Sequence, residues 1–152
     1  MIAQNSLQFI RNVFRSLSNG KLIGKINHVA IAVKDLNKST NLFKILGIEI
    51  PKAQILPNHG VNVKFLNLGE TKMEFLEPID DSSPISKYLS KRNGGIHHIC
   101  IETSDIDQVL KLLKQNKIST LTETTKIGAH GKPVIFLDPQ DCNGVLFEFQ
   151  QI

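Results

Sequence analysis

Residues 26–48 read INHVAIAVKDLNKSTNLFKILGI, and residues 96–118 read IHHICIETSDIDQVLKLLKQNKI. Set against each other without a gap at an offset of 70, they are identical at seven positions: Ile26/Ile96, His28/His98, Ile31/Ile101, Asp35/Asp105, Leu42/Leu112, Lys44/Lys114 and Ile48/Ile118. Self-similarity at a fixed spacing signals one supersecondary unit used twice. Each copy opens with a β-rich run, Ile26–Val33 and Ile96–Thr103. An aspartate follows, Asp35 or Asp105, placed to cap a helix or charge its first turn. Helical patterns come next, marked by Leu36, Leu42, Phe43 and Leu46 in one copy and by Ile106, Val109, Leu110 and Leu113 in the other. Gly47 and Asn116 suit the two helix exits.

The match continues beyond the helices. GVNVKFLNL from Gly60 answers GKPVIFLD from Gly131, with Phe65 opposite Phe136. TKMEFLE from Thr71 answers VLFEFQQ from Val145, so Glu74 falls opposite Glu148, each followed by phenylalanine. Gly69-Glu70 and Cys142-Asn143-Gly144 read as the turns between these strands. The sequence therefore predicts an α+β chain of two βαβββ modules related by a pseudo-twofold, at about residues 26–78 and 96–152. A linker helix at about 83–92 joins them, with Ser83-Pro84 as its cap and first position and Gly94-Gly95 as its end. One such half buries too little apolar surface to stand alone, and two would close around a shared cavity.

The net charge of +4 over 152 residues is concentrated at the start. Residues 1–25 hold Arg11, Arg15, Lys21 and Lys25, and the first acidic residue is Asp35; the remainder carries fourteen basic and fourteen acidic side chains. Leu7, Ile10, Val13, Phe14 and Leu17 fall at helical spacing. An amphipathic, Arg- and Ser-containing, acid-free start is the composition of a mitochondrial transit peptide, expected over 1–25 with a cut near Ser18–Lys25. No basic stripe speaks for nucleic acid, and no apolar run nears the roughly 20 residues that span a bilayer. Cys100, in a buried strand, reads as a small core residue and Cys142 as a loop thiol, with no disulfide framework between them.

Equivalent positions of a twofold repeat converge near its axis. His28 and His98 are each the third residue of a first strand; Glu74 and Glu148 lie in the last strands. Alternation places Lys72, Glu74 and Leu76 on one face, opposite Met73, Phe75 and Glu77, and groups Leu146, Glu148 and Gln150. Carboxylates among apolar neighbours are expensive to bury unless something compensates them, and a divalent ion would. Two imidazoles and two carboxylates suit Zn, Co, Mn, Ni or Fe(II), and on a six-coordinate ion they leave two positions for substrate oxygens. His97, adjacent to His98, is expected on the opposite face. His59 and His130, both preceding glycine, pair across the repeat as candidates for the cavity mouth.

The stretches INHVAIAV, HGV-V-F-NLG-TKME, Asp81-Ser82-Ser83-Pro84-Ile85, GGIHHICIE and KIGAHGKPVIFL-P-DC-GVL-E resemble the methylmalonyl-CoA epimerases of the animal mitochondrial type over about residues 22–152. The resemblance implies the vicinal-oxygen-chelate, glyoxalase-like fold, usually as a homodimer, working in the mitochondrial matrix. It implies methylmalonyl-CoA as substrate and a divalent ion, cobalt(II) first and Mn(II), Zn(II) or Ni(II) as alternatives. The family's ligands fall on His28, His98 and Glu148, and the fourth, glutamine in some bacterial members, on Glu74. Those members carry a glutamate base where this chain has Val63, which leaves Glu74 and Glu148 as the catalytic candidates and His59 as a further substitute. Lys52, Lys126 and Lys132 are candidates for contacts to the anionic CoA end. Competing expectations are a glyoxalase-type lactoylglutathione lyase, an extradiol-type dioxygenase, and a metal-free binding module of the same fold.

Overall fold

The computed structural model describes residues 21–152. The greater part of the expected leader, including its apolar stripe from Leu7 to Leu17, lies outside the described residues. β1 runs over Ile23–Ala32 and pairs with a later strand from Ile23 onward, so the last residues of the segment expected as leader are woven into the sheet.

In chain order β1 is followed by α1 (Leu36–Ile45), β2 (Gln54–Leu56), β3 (Val61–Leu68), β4 (Thr71–Pro78), α2 (Pro84–Lys91), β5 (Gly95–Thr103), α3 (Ile106–Gln115), β6 (Lys126–Ile127), β7 (Pro133–Phe136) and β8 (Phe147–Gln151). Among the described residues the strands form one eight-stranded mixed sheet, in the order β2-β3-β4-β1-β5-β8-β7-β6. That order is a palindrome of two modules. β1 pairs parallel with β4 and β5 parallel with β8, and β1 and β5 meet antiparallel at the centre. The two βαβββ units expected from the repeat are therefore present, joined along a β1–β5 seam.

Local chemistry sets the helices in matching ways. Asp35 and Asp105 are N-caps, accepting from the backbone N–H of Lys38 and Gln108 at 2.9 and 2.8 Å. Each cap has a second acceptor from the last strand of its own module. Glu77 Oε1 takes the N–H of Leu36 at 3.1 Å, and Gln151 Oε1 takes that of Ile106 at 2.9 Å. The first turn of an α-helix leaves N–H groups without intrahelical partners, and these side chains satisfy them and bolt each helix to its sheet. Ser83 caps α2 by accepting from Ile85 N, with Pro84 in the first turn.

The apolar stripe of α1 is narrower than expected. Leu36, Thr40 and Phe43 face the sheet against Leu66 and Phe75, whereas Leu42 and Leu46 are exposed. The reason is angular: from Leu36, positions four and seven residues on share a face, and Leu42 and Leu46 fall away from it. After α1, Gly47 turns in the left-handed region with φ +86°. At the α3 exit Asn116 is the C-cap residue, with φ −97°, and the left-handed turn falls one residue later, on Lys117 with φ +58°. A second core of Ala30, Ala32, Val61, Val63, Leu76 and Ile85 fills the side under α2. No helix among the described residues is long and apolar enough to cross a membrane.

The seam is not regular. Ile26 pairs with Ile101 and His28 with Cys100, which leaves Asn27 as an extra residue on β1. Ala30 pairs with His98 and Ile31 with Ile96, which leaves His97 as an extra residue on β5. Asn27 and His97 are equivalent in the repeat, so the two bulges are related by the same pseudo-twofold. A bulge re-aims a side chain that plain alternation would send to the other face.

Candidate metal centre

The four side chains singled out by the repeat meet at the seam. His28 comes from β1, His98 from β5, Glu74 from β4 and Glu148 from β8, the four central strands. All are buried, with relative exposures of 2%, 6%, 3% and 5% respectively. His28 Nε2 and His98 Nε2 stand 3.2 Å apart. Glu148 Oε2 lies 3.3 Å from each of them. Glu74 Oε2 lies 3.4 Å from His28 Nε2 and 3.6 Å from His98 Nε2. Phe65 and Phe136, equivalent in the repeat, pack edge-on against His28 and His98.

His28, His98 and Glu148 form a near-equilateral triangle of donors, all within 4.8 Å of one another. Ligands about 2.0–2.2 Å from a common ion are separated by roughly 3.0–3.4 Å in tetrahedral or octahedral coordination, so the triangle has the right edge. Glu148 Oε2 is buried and receives no well-aligned hydrogen bond from a described residue. The short approach of two imidazole nitrogens requires either a shared proton or a cation, because two lone pairs aimed at each other repel. A divalent ion satisfies all three groups at once, and the donor set suits one.

The two carboxylates differ. Glu74 is raised by burial, which outweighs the pull of His28 and His98. Burial pushes Glu148 up as well, but the His28 and His98 imidazoles 3.3 Å away prevail and hold it at about 2. Cys100, paired across the strands with both His28 and Glu148, has its thiol pushed up by burial and then by the Glu148 charge, so it is an inert core thiol as expected.

Two positions depart from expectation, and a third was not foreseen. His97 does not point away from the site: released by its bulge, its Nδ1 lies 2.9 Å from His98 Nδ1, and its ring lines the cavity. Burial, then His98, lower its pKa to about 4. Asn27, its counterpart, places Oδ1 2.9 Å from His28 Nδ1. Neither contact followed from strand alternation; the one signal was that the repeat aligns two polar, hydrogen-bonding residues just before the two strand histidines. His130 sits deeper than a mouth residue, 5.7 Å from His28 and 4.6 Å from Phe65 between ring centroids, with Lys72 Nζ 3.4 Å from its Nε2. Burial, then Lys72 and His28, push its pKa down.

The quartet opens into a cavity of about 700 Å³. His59 and Lys126 line it, as do Leu56, Leu76, Ile85 and Ile127, whereas Lys52 and Lys132 are not among its walls. Val63 carries no titratable group and is fully buried in the core. The cavity lining joins these apolar side chains to the quartet and to further polar residues, a combination usual in small-molecule sites.

Residues 27–136 match the Glyoxalase/Bleomycin resistance protein/Dioxygenase superfamily. The chain is 55% identical over 131 residues, 85% of its length and 74% of the relative's, to the human protein named methylmalonyl-CoA epimerase, mitochondrial. Its identity is 43% over 97% of the chain and 93% of the relative for the protein of the same name from Dictyostelium discoideum. In three dimensions it is similar to the methylmalonyl-CoA epimerase of Mycobacterium tuberculosis, with a TM-score of 0.79, 28% identity, and 86% and 89% of the two chains covered. A second solved epimerase, in complex with methylmalonyl-CoA and ammonium, is similar with a TM-score of 0.77, 28% identity and coverage of 85% and 94%.

Proposed function

From the premise that the chain belongs to the glyoxalase/bleomycin resistance/dioxygenase superfamily and, within it, to the methylmalonyl-CoA epimerases, we propose how its buried quartet interconverts (2R)- and (2S)-methylmalonyl-CoA. The observation that carries this reading is the convergence of His28, His98, Glu148 and Glu74 on the wall of the cavity. His28, His98, Glu148 and Glu74 would hold a divalent ion, for which cobalt(II) is proposed and Mn(II), Zn(II) and Ni(II) share the same donor chemistry. When bound, that ion supplies Lewis acidity that favours charge on the thioester oxygen.

The reactive carbon of methylmalonyl-CoA lies between a thioester and a carboxylate, so its proton is acidified from both sides. Glu74 and Glu148 are the two carboxylates that line the cavity, and they are the proposed acid/base pair. One takes the C2 proton, the other returns a proton to the opposite face of the planar enolate, and the roles exchange in the reverse direction. Lys126, on the cavity wall, is the proposed contact for the anionic CoA end. The enzyme is proposed to act as a homodimer in the mitochondrial matrix, after loss of a leader within residues 1–25; its animal relatives are named mitochondrial.

Deuterium incorporation at C2 of methylmalonyl-CoA in heavy water tests this directly. Exchange is expected to stop on chelation and to return with added cobalt(II), and His98→Ala is expected to lose both exchange and metal. Undiminished exchange in metal-stripped protein overturns the mechanism.

A further inference from the structure

Each of the two histidines in the quartet is preceded by a bulged residue, and both bulged side chains turn back onto the imidazole nitrogen that faces away from the centre. Asn27 Oδ1 lies 2.9 Å from His28 Nδ1, and the Asn27 amide is itself fixed by Nδ2 donating to Glu102 Oε1 at 2.8 Å. A carboxylate can only accept from that amide, so the oxygen of Asn27 is the atom left facing His28. In the other module His97 Nδ1 lies 2.9 Å from His98 Nδ1, and the His97 ring is held by a T-shaped contact with Tyr88 at 5.1 Å. Tyr88 is in turn anchored through its hydroxyl, which donates to Ile96 O at 2.8 Å.

We propose that Asn27, held by Glu102, and His97, held by Tyr88, are positioning residues: each accepts the Nδ1–H of the following histidine and so presents the Nε2 lone pairs of His28 and His98 to the ion. The inference rests on the quartet being a metal site, and it assigns roles to residues outside the quartet. The physical basis is tautomeric. A neutral imidazole carries one N–H, and an acceptor at Nδ1 keeps that proton there, leaving Nε2 free to ligate. Without the acceptor the proton is free to sit on Nε2, and the ring to rotate. Such outer partners change metal affinity by about 10- to 100-fold in other sites. The two bulges are what make this possible, because in an unbulged strand the residue before a histidine faces the opposite side of the sheet. His97 fills its role only with Nδ1 unprotonated, so its own proton must reside on Nε2.

The test is cobalt(II) affinity, measured by competition with a chromophoric chelator, alongside the visible spectrum of the bound ion and thermal unfolding of the metal-free protein. Asn27→Leu and His97→Phe remove the acceptors and are expected to weaken cobalt binding by about 10- to 100-fold and to alter the ligand-field bands. Asn27→Asp combined with Glu102→Gln reverses the direction of the outer hydrogen bond but keeps an acceptor at His28. His97→Asn copies the first module into the second. Both are expected to bind cobalt within a few-fold of the parent. Affinities for Asn27→Leu and His97→Phe that match the parent overturn the positioning roles, as does equal loss in the acceptor-bearing and acceptor-free variants. A parent protein that binds no divalent ion brings down the metal reading and this inference together.

Discussion

At the level of single residues, the proposed mechanism asks two duties of the Glu74 side chain. As a ligand it needs an oxygen; as an acid or base it needs a proton. Glu74→Gln separates them, since the amide keeps an oxygen and cannot exchange a proton at the working pH. Cobalt affinity is expected to fall by less than about tenfold, while C2 exchange falls by about 10²- to 10⁴-fold, the usual contribution of a placed acid or base. Retained exchange would reduce Glu74 to a ligand. Family members with glutamine at this position have another glutamate to draw on; here its counterpart is Val63, sealed in the core. His97 gives a second measurable effect. Its folded pKa of about 4 lies below the ordinary 6.5, chiefly through burial. Between those values the unfolded chain binds the extra proton, so stability rises with pH across the window. The metal-free protein is expected to hold this contribution above pH 6.5 and to lose about 3 kcal/mol as the pH drops to 4. His97→Asn should flatten that part of the profile in urea titrations; an unchanged slope would show that His97 is not the group responsible.

At the level of strands and helices, most of the plan was legible from one repeat. The offset of 70 between Ile26 and Ile96 placed both first strands, both caps and, extended to Glu74 and Glu148, both carboxylates. It worked because each module reuses the same local chemistry, down to Glu77 and Gln151 closing the helix starts. What stayed hidden was what breaks periodicity. Alternation with a period of two sent His97 to the wrong face, since a bulge is a property of the pairing partner as much as of the strand. Likewise the apolar count on α1 could not show that Leu42 and Leu46 face outward, because only the docking direction decides between neighbouring stripes. Gly128 poses a sharper test of packing between strands. A Cβ there would come within 2.7 Å of Val134 Cγ1 and within 3.6 Å of Glu148 Oε1. Gly128→Ala is expected to cost about 1–3 kcal/mol by overpacking, visible as a lowered melting temperature. Adding Val134→Ala should recover part of it. A single variant as stable as the parent would mean that β7 yields freely.

For the molecule as a whole, the ion and the fold are coupled by mass action. A ligand that binds only the folded chain, at a free concentration of 100 times its Kd, stabilises by about 2.7 kcal/mol. For a domain of this size that corresponds to roughly 5–10 °C in Tm. Saturating cobalt(II) is expected to produce a shift of that order in the parent and none in His28→Ala; equal shifts in both would place the bound ion elsewhere. The seam between β1 and β5 gives the coupling a particular shape. Each half of the chain brings one imidazole and one carboxylate, so neither half holds a complete binding set. An ion held by all four would act as a clasp across the middle of the sheet, tying the two halves together. Loading should therefore slow amide hydrogen exchange most along Ala30 and Ile99, at the hinge between the duplicated units, and hardly at all in the outlying strands β2 and β6.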